Sequence, residues 1–190
     1  MSILTEELKS SVSCRGVEYE VHTDFRVWLK YDALMHKSVS AKEKIVRSID
    51  LCYVGAYPPT AVEAAAALAE FFTQKELGEG RTSSTQGGRH GVRSFDFEAD
   101  APYIYAAFLS EYGIDLTKEN LHWHLFMSLL QALGEDKKLV KIISWRGTSL
   151  AGIKNKEQKE FIMKMKRRYK LPDLRSLEDK EAEFAEALWR

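Results

Sequence analysis

Ser40 stands three residues before Glu43, and Thr60 stands three residues before Glu63. In such a box the hydroxyl accepts from the third residue's backbone N–H while the carboxylate reaches back, so each pair marks a helix start. Between them Tyr57-Pro58-Pro59 must stop the first helix before the second begins. A chain punctuated in this way cannot be read as a sheet protein. The expected fold is mainly α, a helical bundle-like domain with a short N-terminal β-hairpin.

The hairpin is read from Val12, Cys14, Val17, Tyr19 and Val21, which alternate with polar residues around Arg15-Gly16. Two strands alone are marginal in water, so the hairpin must lean on helices. Thr23 or Asp24 can cap a helix carrying Phe25, Trp28, Leu29 and Met35 on one side. The Ser40 box opens a helix with Ile45, Val46, Ile49 and Cys52 inward, and the Thr60 box opens an Ala-rich helix from Ala61 to Leu77. Residues 1–77 thus form an N-terminal unit of hairpin plus helices. Residues 78–94 change composition to Gly, Ser, Thr and Arg and read as a flexible linker or loop, long for a compact domain.

Residues 95–173 form a C-terminal helical half. Asp100-Ala101-Pro102 starts one helix, which Gly113 ends. Thr117 is placed to cap the next, which runs through Leu121 and Leu133 to Gly134. Leu139, Val140, Ile142 and Ile143 mark a short helix that runs into Arg146-Gly147. Asn155 caps a helix with Phe161, Met165 and Tyr169 four apart, beside Ile162. In residues 174–190, Ser176 with Asp179 starts an acidic helix with Leu177, Phe184 and Leu188 on one face. The two halves are expected to pack as one domain or as two units.

Charge sharpens this division. The chain has 28 Lys and Arg against 28 Asp and Glu, yet residues 137–170 hold twelve bases and two acids. Residues 171–190 hold three bases and six acids. No apolar run approaches the roughly 20 residues that cross a bilayer, so no membrane partner is expected. Met1 to Ser10 has no basic region followed by an apolar one, so no signal peptide is expected either. Cys14 and Cys52 lie in no CxxC and read as reduced and structural.

Local chemistry is sparse. His122 and His124, two apart on a helix, point about 200° apart and cannot share an ion, so no metal site is assigned. The glycines of residues 78–91 lack the order of a phosphate-binding loop, and no cofactor is called for. Asp96, Glu98 and Asp100, spaced by two in an extended segment, read as a solvated face rather than a catalytic pair. Nothing local marks a nucleophile, and the chain reads as non-enzymatic with no catalytic residues. Lys154 to Lys170 is the sharpest feature. It fits a solvated face over an apolar stripe, a nucleic-acid contact, or docking to an acidic protein segment, such as that of a neighbouring copy; the chain lacks the overall basic excess usual in nucleic-acid binders.

Ile3-Leu4-Thr5, Thr23-Asp24-Phe25-Arg26-Val27-Trp28, Phe95-Asp96-Phe97 and Tyr103-Ile104-Tyr105-Ala106-Ala107-Phe108 carry a resemblance that continues through Leu121-His122-Trp123, Lys141-Ile142-Ile143 and Met165-Lys166-Arg167-Arg168-Tyr169 to Leu171-Pro172-Asp173. The sequence resembles a tailed-phage family called gene product fifteen, found in phages and prophages of Gram-positive bacteria. That resemblance implies a tail assembly chaperone in the host bacterial cytoplasm, coating the tape-measure protein before the tail tube forms, with other tail proteins as further partners. Self-association is expected from the segregated charge, which favours head-to-tail contacts between copies. The resemblance brings no catalytic residues. Residues 174–190 run past the family's usual Pro-Asp ending.

A holdase of this kind needs apolar grooves between helices and a polar exterior. Trp123, Phe126, Leu130 and Trp145 are the candidate apolar contacts, with core packing as the competing reading. Lys156, Lys159, Lys164, Lys166, Arg167 and Arg168 are the candidate charge contacts. The alternative is a nucleic-acid-binding phage or prophage protein using the same basic helix.

Overall fold

The computed structural model describes residues 7–73 and 93–172. Among these, the order is β1 (Ser11–Cys14), β2 (Val17–Glu20), α1 (Phe25–Met35), α2 (Ala41–Cys52), α3 (Ala61–Thr73), α4 (Ala101–Tyr112), α5 (Trp123–Gln131), α6 (Lys138–Gly147) and α7 (Lys156–Arg168). The mainly α expectation with an N-terminal hairpin holds. Residues 78–92 of the expected linker, the end of the Ala-rich helix and all of 174–190 lie outside the described residues.

The strands pair antiparallel, with Val12 opposite Tyr19 and Cys14 opposite Val17. Arg15 and Gly16 both have positive φ, 52° and 78°, the two-residue turn that matches the twist of paired strands. The hairpin leans on helices as expected. The Arg15 guanidinium meets the Glu63 carboxylate of α3 at 2.5 Å, and His22 donates its backbone N–H to Cys52 O.

The capping signals form as read. Ser40 Oγ accepts the Glu43 N–H, Thr60 Oγ1 accepts the Glu63 N–H, and Asn155 Oδ1 accepts the Gln158 N–H. Asp24 rather than Thr23 caps α1, accepting from Arg26 N. Gly113 ends α4 in the left-handed conformation. Two details differ. Val46 is 48% exposed, because Ser48, Ile49 and Cys52 define the inner face of α2. Thr117 caps no helix: its N–H and Oγ1–H both go to Asp115 Oδ1 in a local turn, and α5 begins only at Trp123.

His122 supplies that later start. Its Nδ1 accepts the His124 N–H, and its Nε2 lies 2.9 Å from Lys9 O, so the ring is neutral with its proton on Nε2. Residues 23–25 and 121–123 are stitched together, with Trp123 N–H donating to Thr23 O at 2.7 Å and Phe25 N–H to Leu121 O at 2.9 Å. Arg26 adds donations to Leu116 O, Glu119 O and Asn120 Oδ1.

These ties bring the two halves onto one core. Trp28 stacks on Phe71 and Trp123, Phe72 stacks on Trp123, and Phe126 stacks on Phe25, Phe108 and Trp123. Both indole N–H groups are satisfied on backbone, Trp28 on His22 O and Trp123 on Phe72 O. Aromatic rings of this size dominate the burial energy of a small core, and the stacked pairs add to it.

Candidate partner-binding site

Trp123 and Phe126 are 0% exposed, at the centre of the aromatic core. This corrects their expected role: the side chains that would have touched a partner instead hold the two halves together. Leu130 is half-buried and packs against the same core. Of the four apolar candidates, Trp145 is the one that faces an aromatic surface built on α6 and α7.

Trp145 stacks on Tyr169 at 5.7 Å and meets Phe161 edge-on at 5.9 Å. Phe161, expected inside α7, is 49% exposed because Ile162 and Met165 take the buried face. Lys138 Nζ sits 5.2 Å from the Trp145 ring centre and 5.0 Å from that of Tyr169. A cation held over aromatic faces in this way is attracted by their negative π surfaces. Hydrogen bonding to Lys138 also draws the Tyr169 hydroxyl below the usual phenol range. The Arg168 guanidinium lies over the same Tyr169 ring, 5.6 Å from its centre.

The basic candidates divide by helix geometry. Lys164 and Arg168 fall three and seven residues after Phe161, on its flank of α7. Lys156, Lys159 and Arg167 surround exposed Met163 on the opposite flank. Lys166 is turned inward, where its ammonium donates to Arg146 O at 2.8 Å, so it braces α7 on α6 rather than facing a partner.

Beneath this surface lies a clasp that reading the sequence missed. Arg146 is buried, with Nη1 and Nη2 on the two oxygens of Asp100, Nη1 also on Ser94 O, and Nε on Tyr169 O. Asp100 makes no side-chain cap on α4 and is not on a solvated face; its Oδ2 also accepts the Asp96 N–H. Ser94, assigned to the linker, is buried here, and Arg93 pairs with Asp96. The one available signal was that Arg146 falls seven and four residues after Leu139 and Ile142, on the apolar face of α6.

A family model described as Bacteriophage Gp15 protein matches residues 4–171. The chain belongs to that family. No curated protein and no solved structure matches it. The Gp15 match contains the whole aromatic and basic surface and the clasp below it, and stops short of residues 174–190. Gp15 is a phage family and is not known as an enzyme family. Among the described residues of this Gp15 member, no helix is long and apolar enough to cross a membrane.

Proposed function

We propose that this protein is a non-enzymatic phage tail assembly chaperone that binds the tape-measure protein through the Trp145–Phe161 face of α6 and α7. The observation that carries the reading is the pairing of partly exposed aromatic rings with cations across α6 and α7. Trp145 and Phe161 offer apolar area to the stripe of an extended helical partner, while Lys138, Lys164 and Arg168 attract its acidic residues. Exposed charges contribute more to encounter and orientation than to affinity, so the aromatic rings are the anchors. The host bacterial cytoplasm, where tails assemble, is the place for such a contact.

The test is co-expression with the cognate tape-measure protein. The chain keeps that protein soluble, and a variant carrying Trp145→Ala, Lys164→Glu and Arg168→Glu does so much less. A tape-measure protein equally insoluble with and without the chain would defeat the proposal. The other flank of α7, where Lys156, Lys159 and Arg167 surround Met163, is what favours a second reading, binding to nucleic acid. Gel shifts at physiological salt separate the two, since retardation there, lost on reversing those three charges, supports the second.

A further inference from the structure

We propose that the outer edge of β2 takes an extended segment of a partner protein as a further strand, one that alternates basic with apolar residues. In an antiparallel pair only every second residue turns its backbone groups toward the neighbouring strand. Val21 donates its N–H to Ser10 O at 2.9 Å, and Val12 stands opposite Tyr19. Tyr19 and Val21 therefore face β1, while Glu18, Glu20 and His22 turn their N–H and C=O groups outward. That outward row is used at one end only, where Val54 N–H donates to Glu20 O and His22 N–H donates to Cys52 O. At Gly55, with a φ of 81°, the chain turns off the edge. The Glu18 N–H and C=O and the Glu20 N–H meet no backbone partner among the described residues.

Unpaired groups in a row are a template for an extended chain, and the side chains beside them set its character. Glu18 and Glu20 are exposed on one face of the strand, with the Ser11 hydroxyl donating to Glu18 Oε2 at 2.6 Å. Residues directly opposite across two strands lie side by side, so a Lys or Arg of the incoming strand gains there. The β2 of a second copy would bring the same two acids and be repelled, which argues against self-pairing at this edge. Val17, on the alternate face, is 52% exposed, and Tyr57, whose ring lies 6.2 Å from that of Tyr53, is 51% exposed. They leave apolar surface for the residues between the basic ones. None of these residues belongs to α6 or α7, so the edge is separate from the Trp145–Phe161 face and does not rest on the chaperone reading.

The test is titration of the full chain with the capped peptide Lys-Val-Lys-Val-Lys-Val, followed through the backbone amide resonances of β2. The Glu18 and Glu20 amides shift saturably and exchange more slowly with solvent. With the lysines opposite Glu18 and Glu20, the lysine amides face β2 and the valine amides face away. N-methylation at the lysines therefore weakens binding by about fivefold or more, and N-methylation at the valines leaves it nearly unchanged. Glu18→Pro removes an outward donor without touching the ladder to β1 and weakens binding by about fivefold. Glu18→Lys with Glu20→Lys turns the preference toward Glu-Val-Glu-Val-Glu-Val. The Val21 amide, bonded to Ser10 O, reports whether each variant keeps its hairpin. Absence of binding at millimolar peptide overturns the proposal, as does binding that leaves the Glu18 and Glu20 amides unmoved or that responds alike to the two methylated peptides. Shifts of those amides with protein concentration alone, accompanied by a rise in particle mass, give the edge to a second copy and overturn it too.

Discussion

Arg146 and Asp100 meet at two points inside the protein, Nη1 on Oδ2 at 2.7 Å and Nη2 on Oδ1 at 2.9 Å, with side chains 7% and 0% exposed. The pair joins the start of α4 to α6, and Arg146 continues to the end of α7 through Tyr169 O. Removing one partner strands the other charge in a place water cannot reach. Asp100→Ala is therefore expected to cost about 3–5 kcal/mol in urea unfolding. Asp100→Leu combined with Arg146→Met recovers a large part of that loss, because an apolar pair has no charge to desolvate. If the double variant is as weak as the two single changes added together, the carbonyl contacts of the guanidinium, not the pairing, are what hold this region.

His122 makes stability depend on pH. Protonation would put a hydrogen on Nδ1 and turn the acceptor of the His124 N–H into a donor, undoing the cap of α5. Burial, the largest influence, holds the pKa below the ordinary 6.5, while the contact with Lys9 O raises it. The unfolded chain therefore takes up its proton first, so the contribution is complete above pH 6.5 and is lost as pH falls below that value. His122→Asn retains a capping acceptor that does not titrate. Denaturant midpoints should fall less for this variant than for the parent between about pH 7 and pH 5; parallel curves would remove His122 from the account.

Two tryptophans should respond in opposite ways. Trp123→Ala opens a cavity among Trp28, Phe72 and Phe126 and should lower stability by about 3–5 kcal/mol. Trp145→Ala, on the half-exposed face, should change the unfolding midpoint far less and partner binding far more. Equal losses of stability would place Trp145 in the core in all but position.

Gly113 offers a backbone test. Its φ of 69° with a backbone N–H bonded to Leu109 O closes α4, and nothing lies within 4 Å of where a Cβ would stand. Space is therefore not the issue, and Gly113→Ala should cost about 1 kcal/mol from conformation alone. A neutral result in thermal unfolding would mean that the turn relaxes to another conformation.

Local signals in the sequence were legible where the partner lies within one turn of the chain. Ser40, Thr60 and Asn155 find their amides three residues on, and Gly113 needs no partner beyond its own helix. Asp115 took Thr117 away from its expected cap because the nearer acceptor won. Asp100 was misread for the opposite reason: its partner, Arg146, is 46 residues distant, and no spacing rule reaches that far. Trp123 and Phe126 have the composition of a contact surface, and only the pairing of residues 23–25 with 121–123 decides that they point inward. The basic character of α7 was visible from composition, but its division into an aromatic flank and a Met163 flank depended on which residues α6 covers.

The way α7 is attached sets an order in which the protein comes apart. Its buried residues, Ile162 and Met165, lie outside the main core cluster, and its C-terminal end is held to α6 through Arg146 and Lys166. Regions with little shared core open at a lower free energy than the whole. Amide protons of α7 should accordingly exchange with solvent before those of α1 and α5, and a partner pulling on α7 can detach it without disturbing the aromatic stack around Trp28 and Trp123. The proposed contact surface is thus mounted in part on a helix expected to open while the rest of the fold stays closed.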